Sequence, residues 1–169
     1  YQEDTRRRIS QLEEQLQSAS HQLTDSESRC RQLTDEKQLL AHTLRCLEEE
    51  EQRRRLMKQR FSASDACLLF RKKETTAAPV TEGDWQQLEI EADQLLDGFL
   101  RKLTTGPVRV SRQELRVSLL IRADFSIKSI AAFLHLTPTA VTSIRRRLSV
   151  KFSLPESSPQ AWDEFVRSL

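Results

Sequence analysis

Thr139, Thr142, Ser143, Arg145, Arg146, Arg147 and Lys151 have the types and the spacing to grip nucleic acid. Arg presents a planar fork that matches phosphate oxygens and the guanine edge, whereas Lys is a compact cation suited to phosphate. Ser and Thr hydroxyls bond phosphate oxygens. On a helix these side chains lie away from Val141, Ile144, Leu148 and Phe152, which recur at steps of three, four and four and define an apolar face. In a major groove, Thr139, Thr142, Ser143 and Arg146 are the candidates for base edges. Arg145, Arg147 and Lys151 are the candidates for backbone neutralisation, with the arginine roles exchangeable by one helical step. The plainer reading is that consecutive arginines only solvate a helix face.

The elements needed to present that face are written into the flanking residues. Ser126 is a candidate N-cap for a short helix whose stripe is Ile127, Ile130, Ala131 and Leu134. A turn at His135-Leu136 follows. Thr137 then caps a second helix with Pro138 at its first position, where a missing N–H costs nothing. Two capped helices joined by a tight turn make the helix-turn-helix pattern. Upstream, Ser111-Arg112-Gln113-Glu114 is a capping box, opening a helix with Leu115, Leu119 and Leu120 inward. Further upstream, Thr81 to Asp84 forms a second box with Asp in place of Glu. It starts one helix bearing Trp85, Leu88, Ala92, Leu95, Leu96, Phe99 and Leu103, stopped by Gly106-Pro107. This helix is expected to buttress the helix-turn-helix, since a domain of about sixty residues has little core. Last, Ser158 and Pro159 open a helix striped by Trp162, Phe165, Val166 and Leu169, which either closes its own domain or forms a dimer contact.

From Ser111 to Phe152 the chain resembles the C-terminal DNA-binding domain of LuxR-type transcription regulators, a four-helix module. The residues carrying the resemblance are Ser111-Arg112-Gln113-Glu114-Leu115, Leu119-Leu120-Ile121, Phe125-Ser126, Ile130-Ala131, Leu134, Thr137-Pro138, Val141, Arg145, Leu148 and Lys151. More narrowly, Thr81 to Leu169 resembles regulators of Bacteroidetes-type bacteria that place tetratricopeptide repeats, a membrane helix and a coiled coil upstream. The resemblance implies double-stranded DNA as a partner and a membrane tether in the longer protein. Family members often carry Gly where Asp124 stands, and Gly or Asn where His135 stands. Both positions end helices and want a left-handed residue, which Asp and His tolerate better than most. Ala140 stands where many relatives have a Thr that bonds the DNA backbone.

The N-terminal third carries a different pattern. Ile9, Leu12, Leu16, Ala19, Leu23, Ser26, Cys30, Leu33, Lys37, Leu40, Leu44 and Leu47 alternate in steps of three and four without a Gly or Pro. This heptad seam, roughly 58 Å long at the helical rise, predicts a parallel homodimeric coiled coil. No g–e′ pair sets like charges together, and Ser26 and Lys37 weaken the core while helping to fix register. The rival is a single amphipathic helix packed on another domain. The Glu48–Arg55 stretch suits an exposed helix, after which Met57, Phe61, Leu68, Leu69 and Phe70 resume an apolar pattern. A kink is expected near residues 62–65, with a short helix capped by Ser64.

Composition bounds the rest. The chain has 169 residues, begins without Met and is expected to be a fragment, or a processed product, of something longer. No apolar run approaches the about eighteen residues a membrane helix needs, and no signal peptide is evident, so the expected location is cytoplasmic. Cys30, Cys46 and Cys67 are odd in number and share no CxxC spacing, which fits a reducing compartment. Residues 106–169 hold ten Lys and Arg against five Asp and Glu, a net of +5, whereas residues 1–55 hold ten against twelve, a net of −2. Positive charge thus concentrates where phosphate would bind. His21 and His42 fall at solvent-facing heptad positions, and no kinase glycine-rich motif follows to make either a phospho-acceptor. No zinc spacing, phosphate loop or nucleophile motif is present. An enzyme is therefore not expected, nor are a cofactor, a metal or a small-molecule substrate. The expected architecture is all-α: a coiled-coil stalk and short helix over residues 1–73, a linker over 74–83, and a buttress helix plus helix-turn-helix over 84–169. The expected function is sequence-specific DNA binding in transcription control, as a coiled-coil homodimer. The alternative is a structural adaptor whose helix-turn-helix contacts protein.

Overall fold

The computed structural model describes residues 1–169 and is all-helical, with eight α-helices and no strand. The chain divides into two units, residues 1–52 and 53–169. No helix is long and apolar enough to cross a membrane.

The first unit is helical from Gln2 and belongs to α1 (Gln2–Ser62). The absence of Gly and Pro leaves nothing to break it. Thr24, Thr34 and Thr43 donate their hydroxyls to the carbonyls four residues back, which occupies the polar groups of these β-branched residues. Every residue of this unit is exposed. That includes the apolar seam: Ile9, Leu12, Leu16, Leu23, Leu33, Leu40, Leu44 and Leu47 are between 51% and 76% exposed, and Cys30 is exposed beside them.

In the second unit the last turn of α1 is already core, with Phe61 fully buried and Met57 packed against it. The helix stops at Ser62. Ser64 caps α2 (Asp65–Thr76) by accepting from the Cys67 N–H (3.4 Å), as its sequence position predicts. The buried face of α2 is Ala66, Cys67 and Phe70, while Leu68 is half exposed. Burial pushes the Cys67 thiol up to about 11, despite the Ser64 hydroxyl and Arg71, which favour the thiolate.

The expected linker over residues 74–83 is not one: it lies inside the second unit. Helix α2 continues to Thr76, Ala77 turns the chain with φ 53°, and α3 (Glu82–Leu95) begins five residues later. Lys73 spans the turn, donating to the Pro79 carbonyl (2.8 Å) and pairing with Asp84. Phe70 meets Trp85 edge-on at 4.9 Å across it. The Ala- and Pro-rich composition marks a turn between packed helices.

The Thr81–Asp84 capping box is present at the start of α3. The single helix expected beyond it is two, because Asp97 (φ 53°) and Gly98 (φ 69°) take the left-handed conformation. Helix α4 (Phe99–Thr104) resumes after that break, so Leu96, Phe99 and Leu103 still reach the core. Glycine makes such a turn cheap in a stretch whose apolar spacing alone reads as continuous.

Ser111 and Glu114 form their capping box at α5 (Arg112–Arg122). This helix touches α6 (Ile127–Leu134), α7 (Pro138–Lys151) and α8 (Pro159–Ser168). Accordingly Val117, Ser118, Leu119, Leu120, Ile121 and Arg122 are all buried, a wider face than one amphipathic stripe, and Leu115 is only half-buried. Helix α8 closes the unit. Trp162 and Val166 are fully buried, and the Trp162 indole donates to the buried Ser118 hydroxyl (3.2 Å) and packs on Phe152 at 5.0 Å.

Candidate nucleic-acid interface

The geometry at the candidate site begins with two caps and a left-handed residue. Ser126 accepts from the Ser129 N–H (3.1 Å) and starts α6. His135 ends it with φ 54°, and Leu136 donates to the Ala131 carbonyl (2.8 Å), so only residues 135–137 separate α6 from α7. Thr137 accepts from the Ala140 N–H (3.1 Å), and Pro138 occupies the first position of α7. Asp124 likewise adopts φ 59° at the end of α5. Both positions at which a left-handed residue was expected have one.

Helix α7 has two unlike faces. Val141, Ile144 and Leu148 are buried, and Phe152 is half-buried just after its end. Thr139, Thr142, Ser143, Arg146, Arg147 and Lys151 are exposed, an outward stripe at helical spacing. Thr142 donates its hydroxyl to the Pro138 carbonyl (3.0 Å), and its oxygen can still accept.

Arg145 departs from expectation. It is buried, only 7% exposed, and its Nε donates to Asp163 Oδ1 of α8 at 2.8 Å while its Nη2 meets Oδ2. A bidentate Arg–carboxylate pair of this kind satisfies both planar groups. Arg145 is thereby withdrawn from the set available to phosphate, because its Cβ direction is shared with the apolar face and α8 supplies an acid there. Lys151 is only partly committed. Its ammonium lies 3.0 Å from Glu114 Oε2 of α5, and the side chain remains one-third exposed. Burial opposes ionisation of Glu114, but the Ser111 N–H and hydroxyl together with Lys151 outweigh it and hold the carboxyl below its usual range.

Asp163 and Ser118 are supporting residues that local sequence reasoning missed, and Glu114, expected as a capping residue, has a further partner in Lys151. Asp163 lies eighteen residues from Arg145, and Glu114 thirty-seven from Lys151, so no helical spacing connects them. The seam residues from Ile9 to Leu47 belong to the first unit and form a separate candidate surface. No family model matches this chain, and neither a curated protein nor a solved structure is significantly similar to it.

Proposed function

We propose that the chain is a sequence-specific DNA-binding transcription regulator of the LuxR-type helix-turn-helix class. In this reading α7 enters the major groove, and α1 pairs with a second copy as a parallel coiled coil. The observation that carries it is the two-faced α7. Its apolar side is buried behind a capped turn, and hydroxyls with two unpaired guanidiniums, Arg146 and Arg147, face outward. The net of +5 over residues 106–169 supplies the field that draws phosphate. Thr139, Thr142, Ser143 and Arg146 read bases, while Arg147 and Lys151 neutralise the backbone.

A shift assay over a range of salt, on selected and random duplexes, tests the reading. Thr142→Ala or Arg146→Ala costs about 1–3 kcal/mol on the selected site and flattens its advantage over random DNA. Unchanged affinity after replacing Arg146 and Arg147 together with Ala removes α7 from the DNA. The adaptor reading, with the same face against protein, then takes its place.

A further inference from the structure

An apolar hollow of about 270 Å³ lies between the end of α2, the turn over residues 77–80 and α6. Ala77, Ala78, Pro79, Val80, Ala132 and Phe133 form its walls, and the small alanine side chains leave the space open. Lys73, Glu74, Ser129 and His135 supply its polar groups. Their charges are not equally spent. Lys73 donates to the Pro79 carbonyl (2.8 Å) and pairs with Asp84. Glu74 receives the Ser129 hydroxyl, and no Lys or Arg pairs with it. A carboxylate beside an apolar wall attracts a cation more strongly than one surrounded by water, because the local dielectric is lower. The adjoining hollow, which shares Val80, Phe133 and His135, offers an anion nothing comparable. Arg112 and Arg116 line it, but both guanidiniums meet Glu82, and Arg116 also faces Glu89 at 3.6 Å.

We propose that the hollow beside α6 is a seat for a small primary amine with an apolar body, held by Glu74. The ammonium has three donors, which the Glu74 carboxylate, the Ser129 oxygen and a ring nitrogen of His135 can accept. Size follows from the volume. Drug-sized ligands occupy pockets of roughly 300–1,000 Å³, so this one takes something smaller. At about 30 Å³ per water in the liquid there is room for about nine waters, which suits a ligand of about nine heavy atoms. His135 also ends α6, so an occupant rests against the turn that leads into α7. The seat does not depend on the DNA-binding function.

Titration of phenethylamine into the full chain, read by backbone amide signals in NMR, tests the seat, with phenylacetate as an anion of similar size. Saturable shifts at Glu74, Ala132 and His135 are expected for the amine, and none that saturate for the acid. Glu74→Gln keeps an oxygen for the Ser129 hydroxyl but loses the charge, so it weakens amine binding about tenfold or more. Ala132→Leu fills the hollow and abolishes binding. Both positions are exposed, so each variant keeps a thermal midpoint near that of the parent. No saturable amine binding, equal binding of the acid, or an affinity that either folded variant leaves unchanged overturns the seat. If one variant unfolds, the other variant and the two probes on the parent chain decide.

Discussion

Arg145, Arg146 and Arg147 are chemically identical neighbours, yet the first is buried against Asp163 and the other two are exposed. Both members of the buried pair have little contact with water, so removing one leaves a charge without solvent or partner. Asp163→Ala is therefore expected to cost about 3–5 kcal/mol in urea denaturation, far above a surface pair. A loss below about 1 kcal/mol means that Arg145 escapes to solvent when released. Glu114 sets a pH dependence. Its folded carboxyl is held below the ordinary value of 4.5, so its stabilisation is present above that value. It is lost as pH falls through the lowered folded value, where protonation weakens its hold on the Ser111 N–H and Lys151. Glu114→Gln should flatten the acid limb of stability below the ordinary value of 4.5. Parallel acid limbs in urea midpoints measured across pH for the two proteins would contradict this assignment.

At the scale of elements, α1 and α7 carry apolar stripes with opposite fates. The stripe of α7 is covered by its own unit, whereas the α1 seam from Ile9 to Leu47 is exposed in the single chain. A row of leucines at heptad spacing gains its burial from a second helix. The proposed dimer predicts that Leu16→Asp combined with Leu40→Asp yields monomers in sedimentation equilibrium. An unmutated chain that sediments as a monomer at micromolar concentration refutes the pairing outright. In the dimer Cys30 is also covered, since it lies on the same seam, and its labelling by a thiol reagent slows as concentration rises.

For the whole second unit, the informative quantity is where its core begins. Phe61, Ala66, Cys67 and Phe70 are buried in one cluster with Trp85, Phe125 and Phe133. Phe70 touches all three of those rings, with centroids 4.9 to 6.3 Å away. A chain of residues 53–169 is thus expected to unfold in one cooperative calorimetric transition. A chain of residues 81–169 forfeits Phe61 and Phe70, each worth about 3–5 kcal/mol when deleted from a core, against a total stability of about 5–15 kcal/mol. It should show a collapsed midpoint or none. Truncation after Pro155 has the same expected outcome at the other end, because it removes Trp162 and the partner of Arg145. Cooperative folding of residues 81–169 would restore 74–83 as a linker.

What the sequence determined alone is what neighbours decide. Ser64, Thr81, Ser111, Ser126, Thr137 and Ser158 all cap helices where they were expected to, since a cap is a bond across three residues. The inward residues Val141, Ile144 and Leu148 and the outward Thr139, Thr142, Ser143, Arg146 and Arg147 follow from helical spacing. The left-handed turns at Asp124 and His135 were expected only from the resemblance to LuxR-type domains, whose members often carry Gly or Asn there. Tertiary structure decided the rest. Apolar spacing runs unbroken from Trp85 to Leu103, and the break at Asp97-Gly98 that divides α3 from α4 leaves the apolar rhythm intact. Residues 74–83 have linker composition but join helices whose packing depends on Phe70 meeting Trp85. Arg145 has the type of a phosphate ligand, yet its role depends on Asp163, brought beside it only when α8 docks. Spacing reports which way a side chain points, but a charge acts on whatever the fold puts within a few ångströms, and that partner can lie anywhere along the chain.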